Sequence, residues 1–124
     1  IGVVGRFLEH TRIYYFQNGG KEEFYIGSAD LMMRNLSSRA EVVVRIENEA
    51  LVEQLRGYLD VQLNDRRNVW EMNADGSYTQ RHPKTEAEER GCQQVMIDLA
   101  EKRHREAKKV RLMRPKAIAR RQSA

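Results

Sequence analysis

The sequence predicts a mixed α/β domain: a mixed β-sheet with helices packed on it and a small second hairpin. Three observations carry this. Two aromatic, β-branched runs flank Asn18-Gly19-Gly20. A third run, Glu41-Val42-Val43-Val44-Arg45-Ile46, is apolar enough to sit at the centre of a sheet. Apolar residues then recur at helical spacing in two later segments. The length of 124 residues and mass of 14.5 kDa fit one domain with a modest core.

The elements follow in order. Arg12-Ile13-Tyr14-Tyr15-Phe16 and Glu23-Phe24-Tyr25-Ile26-Gly27 have strand composition, and the Asn-Gly-Gly between them turns the chain at low cost. Asn48 caps a helix whose apolar side is Leu51, Val52, Leu55, Tyr58, Leu59 and Leu63, with Arg66 and Arg67 near its end. Val69–Met72 and Ser77–Gln80 form the second hairpin around Asp75-Gly76. Thr85 and Glu88 make a capping box, so a last helix is expected from there, with Val95, Met96 and Leu99 facing inward. Its apolar side thins beyond Ala100, and Pro115 stops it. We therefore expect a body over residues 1–104 and a basic tail over 105–124, frayed or disordered.

Charge is segregated along the chain. Lys and Arg number 22 against 18 Asp and Glu, a net +4. Residues 101–124 hold ten basic and two acidic residues, so the tail carries +8 and residues 1–100 carry −4. The net charge thus describes the tail more than the body. No apolar run approaches the roughly 18 residues that span a bilayer, and a cytoplasmic setting is expected. The single cysteine, Cys92, excludes an internal disulfide framework and a Cys-rich zinc site within one chain. It reads as a small helix-face residue, His82 as a loop residue and His104 as part of the solvated tail. The opening Ile1-Gly2-Val3-Val4 reads as a segment already under way, and we expect a piece of a longer enzyme.

The unusual residues flank the first hairpin. His10, Arg6 and Arg12 precede or open it; Ser28, Asp30, Arg34, Asn35 and Arg39 follow it. A hairpin returns the chain to its start, so the two groups are expected to meet at one end of a sheet. The set suits phosphoryl transfer. A histidine nitrogen attacks phosphorus or passes a proton, and arginine forks neutralise phosphoryl oxygens. Ser28 donates to an oxyanion and Asn35 orients a partner. Asp30 either fixes a histidine ring or pairs with Arg34. Taken alone, the Gly27-Ser28-Ala29-Asp30 step reads more simply as a strand end with Ser28 or Asp30 capping a short helix over Leu31–Leu36; the two unusual stretches at one hairpin together balance that reading.

In these residues the sequence resembles the C-terminal catalytic domain of bacterial long-chain polyphosphate kinase, which has a phospholipase D-like fold. Arg6-Phe7-Leu8-Glu9-His10-x-Arg12, Asn18-Gly19-Gly20 and Ser28-Ala29-Asp30-x-Met32-x-Arg34-Asn35 carry the resemblance, with Arg39 and Glu41-Val42. It is strong over residues 1–47 and fades in the last helix. Leu31 stands where the family uses tryptophan and Ser37 where it uses aspartate. The resemblance implies reversible transfer of the terminal phosphate of ATP to polyphosphate, with ATP/ADP and Mg2+, through a phosphohistidine carried by a preceding domain. His10 would be the second, catalytic histidine, and Arg6, Arg12, Ser28, Asp30, Arg34, Asn35 and Arg39 would line the nucleotide and phosphate path, with no metal ligand among them. The implied partners are polyphosphate, nucleotide and upstream domains of the same chain, with a homo-oligomer allowed and nucleic acid not expected. This region alone would be inactive. Two other functions fit the residues less well. A phospholipase D-like phosphodiesterase or nuclease lacks its lysine, since Arg12 stands there, and its aspartate, since Gln17 stands there. A non-enzymatic polyanion-binding module would use the tail.

Overall fold

A computed structural model describes residues 1–113. The elements run β1 (Gly2–Val3), β2 (Ile13–Phe16), β3 (Glu23–Gly27), α1 (Met33–Ser38), β4 (Val43–Ile46), α2 (Glu49–Leu63), β5 (Val69–Met72), β6 (Tyr78–Gln80) and α3 (Cys92–Met113). The strands form two three-stranded sheets, ordered β2-β3-β4 and β1-β5-β6. Every pairing is antiparallel, so the sheet expected as mixed is two small antiparallel ones.

The first hairpin forms where its turn residues direct. Asn18, Gly19 and Gly20 all take positive φ, at 38°, 64° and 98°, a region where Asn and Gly are tolerated. The register pairs Ile13 with Ile26 and Tyr15 with Phe24, and β4 sets Val44 and Ile46 opposite Ile26 and Phe24. Alternation therefore puts Ile13, Tyr15, Phe24, Ile26, Val44 and Ile46 on one face. Helix α2 covers part of it, capped by Asn48, whose side chain accepts from Leu51 N at 3.2 Å. Phe24 beneath is only 1% exposed.

The helix is held there by an ion pair at the rim. Arg56 donates both Nη atoms to Glu22, at 2.7 and 2.5 Å, and its guanidinium lies 5.3 Å from the centre of the Phe24 ring. Tyr15 adds its hydroxyl to Glu22 at 2.7 Å. Hydrogen bonds from Arg56, then Tyr15, pull the Glu22 carboxyl from the usual 4.5 down to about 2. A depressed carboxylate favours the folded form above its unfolded pKa, and that contribution disappears as pH falls through the folded value. Acid titration of the folded chain should thus show a Glu22-dependent loss of stability between about 4.5 and about 2. Glu22→Gln should abolish that component; an unchanged acid profile in the variant would show that the pair is not linked to folding.

Strand β4 departs from expectation. It forms one edge of its sheet rather than the centre, and Val42, Val43 and Val44 are half or more exposed. Among the described residues no strand pairs with its outer side. The opposite sheet face carries Tyr14, Phe16, Tyr25 and Val43, which line an open groove with Gln17 and Glu23.

The second hairpin gains a strand too short to be legible in the sequence. Gly2 and Val3 pair with Trp70 and Val69, burying Val69 completely. Gly76 supplies the turn with φ of 82°.

The capping box also acts differently from expectation. Thr85 accepts from Glu88 N at 3.4 Å and Glu88 accepts from Lys84 N at 2.7 Å, but they close only a single 3-10 turn over Glu86–Glu89. The long helix starts at Cys92, capped from a distance by Asp65, whose Oδ2 accepts from Cys92 N at 2.7 Å. The helix then continues to Met113, past the point near residue 105 where the sequence suggests fraying. Arg103 stacks over the Tyr58 ring at 5.4 Å and donates to its hydroxyl, tying α3 to α2. Arg105 pairs with Glu101 one turn earlier at 3.3 Å. Pro115 and the rest of the tail lie outside the described residues. Among the described residues no helix is long and apolar enough to cross a membrane.

Candidate functional site

The hairpin brings the two groups of singled-out residues together. Gly27 N donates to Arg12 O at 3.2 Å and Ser28 N to Val42 O at 2.9 Å, so the loops before β2 and after β3 leave the sheet side by side. Gly27 is required at this junction: a Cβ there would meet Val42 O at 2.8 Å. Tyr14 fastens the second loop, donating its hydroxyl to Ala29 O at 2.5 Å.

Arg12 and Asp30 form the centre. Arg12 Nε donates to Asp30 Oδ1 at 2.7 Å and Nη2 to Oδ2 at 2.9 Å, a planar fork on a carboxylate. The hydrogen bonds from Arg12 hold Asp30 below its usual range, helped by the charges of Arg12, His10 and Arg34. The same carboxylate raises Arg12 further, so both stay ionised at neutral pH. His10 Nε2 contacts Arg12 Nη2 and lies 4.0 Å from Asp30 Oδ1. The ring is therefore beside the ion pair, while 58% of its side chain faces solvent. Asp30 pairs with Arg12, and Arg34 adds only its field, so the two partners considered in the sequence resolve to a third.

A second knot lies next to the first. Glu41 accepts from Ser28 Oγ at 2.5 Å through Oε2 and from Asn35 Nδ2 at 2.8 Å through Oε1. Ser28 Oγ in turn accepts from Val42 N at 3.1 Å. The Ser28 bond, then the Asn35 bond, lower the Glu41 carboxyl, with Arg39 and Arg12 adding their charges. Asn35 is 4% exposed, and its Oδ1 has no partner among the described residues. Helix α1 starts after Met32 with no side-chain cap, so neither Ser28 nor Asp30 acts as the cap that the sequence also allowed.

Arg34 and Arg39 are exposed and make no ion pair among the described residues. Their charges remain available to an anion. Arg6 stands apart: its guanidinium lies over Phe7 at 5.2 Å and bonds to none of the other site residues.

Two contributors are not singled out by the sequence as site residues. Glu41 is the hub of the second knot; it stands in the Glu41-Val42 step that carries the resemblance, next to Val42, whose carbonyl accepts from Ser28 N. Gln93 holds the His10 loop from 86 residues away, accepting from Phe7 N at 3.0 Å and donating to Phe7 O at 2.7 Å. No local pattern announces that contact. Among the described residues no group of three or more His, Cys, Asp or Glu is placed to hold a metal ion. Burial, then the hydrogen bond and charge of Asp65, push the Cys92 thiol up to about 12, so it stays protonated and poorly nucleophilic.

Small antiparallel sheets with packed helices, and a histidine beside an arginine–carboxylate fork, define a mixed α/β domain with one clustered polar site. The family model described as polyphosphate kinase C-terminal domain 2 matches residues 1–93, and the chain belongs to that family. The polyphosphate kinase of Prochlorococcus marinus is 48% identical over 99 residues, 80% of this chain and 14% of that protein. That of Synechocystis sp. is 48% identical over 95 residues, 77% of this chain and 13% of that protein. A crystal structure of polyphosphate kinase from Porphyromonas gingivalis superposes with a TM-score of 0.69 at 30% identity, covering 82% of this chain and 15% of the other. The chain thus spans about one seventh of the relatives it matches.

Proposed function

We propose that this chain forms one wall of a polyphosphate kinase site, which reversibly transfers the terminal phosphate of ATP to inorganic polyphosphate through a phosphohistidine. The observation that carries this reading is the exposed His10 ring, set beside the Arg12–Asp30 fork near two arginines that make no ion pair among the described residues. The fork holds Arg12, and Arg12 holds the imidazole. His10 then meets the transferring phosphoryl group from this wall, stabilising it or giving it a proton. Arg34 and Arg39 neutralise its oxygens. Ser28 and Asn35 are fixed through Glu41 and shape the floor.

The histidine that becomes phosphorylated belongs to the part of the longer enzyme outside this chain. The groove of Tyr14, Phe16, Tyr25 and Val43 and the open edge of β4 fit burial under that same part. The ATP is handled as its magnesium complex, but the described residues offer no ligand set for the ion. The test is ATP-dependent polyphosphate synthesis by the full-length chain, with and without His10→Ala. The 124 residues alone are expected to give no turnover.

A further inference from the structure

We propose that the exposed half of α3 is a docking arm for a linear phosphate polyanion, the polyphosphate chain itself, outside the catalytic site. This rests on the reading of the site as a polyphosphate kinase. The family match ends at residue 93, so the arm lies beyond what that domain model describes. Every residue from 101 to 110 is exposed, and this stretch carries five Lys or Arg against two Glu.

The cations are also arranged. Arg103 turns toward α2 and lies over Tyr58. Lys102, Arg105 and Lys109, spaced three and four residues apart, share the opposite side, with Lys108 beside them. Lys102 and Lys109 are separated by about 10 Å along the axis. Lys102, Lys108 and Lys109 make no ion pair among the described residues, and only Arg105 is shared with Glu101. Such a row suits a flexible chain of repeating charges better than one small anion.

The arm is joined to the site. Gln93, in the first turn of α3, is bonded at both ends of its amide to Phe7 in the loop that carries His10. From Gln93 to Lys109 the helix runs about 24 Å. The body preceding the arm is net negative, −4 over residues 1–100, so outside the arginines of the site the arm is its attractive surface for a polyanion. The arm would hold the distal part of a long chain while its end occupies the site.

The experiment uses the full-length enzyme carrying Lys102→Gln, Arg105→Gln, Lys108→Gln and Lys109→Gln together. Binding of labelled long-chain polyphosphate and of tripolyphosphate is measured against salt, alongside ATP-dependent synthesis. Loss of four phosphate contacts should lower long-chain affinity about tenfold or more near 0.1 M salt and reduce the log–log salt slope by about 3. Tripolyphosphate binding, kcat and the KM for ATP should not change, and Lys→Arg replacements should keep wild-type affinity. Unchanged long-chain affinity and slope would overturn the arm, as would equal losses for tripolyphosphate or a loss confined to duplex DNA. If the wild-type enzyme binds long chains through these residues but makes none from ATP, the arm stands and the reading of the site falls.

Discussion

Replacing His10 with alanine in the full-length chain is expected to lower ATP-dependent polyphosphate synthesis by roughly 10²–10⁴-fold, the usual worth of a positioned acid–base group. The loss should fall on kcat more than on the KM for ATP, because the imidazole meets the phosphoryl group in motion rather than the nucleotide at rest. Stability should barely change. The His10 side chain is 58% exposed and is not among the buried residues, so alanine leaves no buried cavity. The Arg12–Asp30 fork should also survive, since its two hydrogen bonds do not pass through the ring. An unchanged melting profile with a collapsed kcat separates chemistry from folding. Undiminished synthesis by the variant would remove His10 from the mechanism.

The largest effect on stability is expected at Asp65, far from that chemistry. Asp65 is 5% exposed, and its Oδ1 accepts from Arg67 N at 2.6 Å and Asn68 N at 2.9 Å. Its Oδ2 accepts from Cys92 N at the start of α3 at 2.7 Å. One carboxylate thus closes the loop after α2 and caps a distant helix. Burial alone would push Asp65 up, but the bonds from Cys92, Asn68 and Arg67 together hold it below its usual range. Asp65→Ala leaves three N–H groups without their acceptor, and we expect a loss of about 3 kcal/mol or more. For a domain of this size that is a fall in melting temperature of about 10–20 °C. Asp65→Asn keeps one acceptor but turns an amide N–H toward Cys92 N, so it should rescue the loop and not the helix cap. A melting temperature within a degree or two of wild type for Asp65→Ala would show that the α3 cap is dispensable.

The pattern of what could be read in advance is physical. The first hairpin was legible because Asn18-Gly19-Gly20 and its flanking strands are local signals, and the pairing follows the turn. Helix α2 was legible for the same reason, with Asn48 capping it as read. The gathering of His10, Arg12, Ser28, Asp30 and Asn35 followed from that hairpin alone. Thr85 and Glu88 misled because a capping box specifies a first turn, not the helix beyond it; Gly91 intervenes and Asp65 supplies the cap that matters. Strand β4 misled because an apolar run signals a buried position without saying what covers it, and among the described residues its outer side is open.

By itself, then, the sequence determined the two hairpins, helix α2, the segregation of charge between body and tail, and most of the residues that meet at the sheet's end, though not the separation of Arg6 or the part of Glu41. These depend on contacts a few residues apart or on one turn. Only the tertiary structure decided which partner each residue takes. Asp30 goes to Arg12 rather than to a helix cap, Glu41 joins Ser28 to Asn35, and Gln93 reaches across 86 residues to hold the His10 loop. Such pairings depend on which loops the sheets and helices bring to within hydrogen-bond reach, and that distance is set by packing, not by neighbours in the chain.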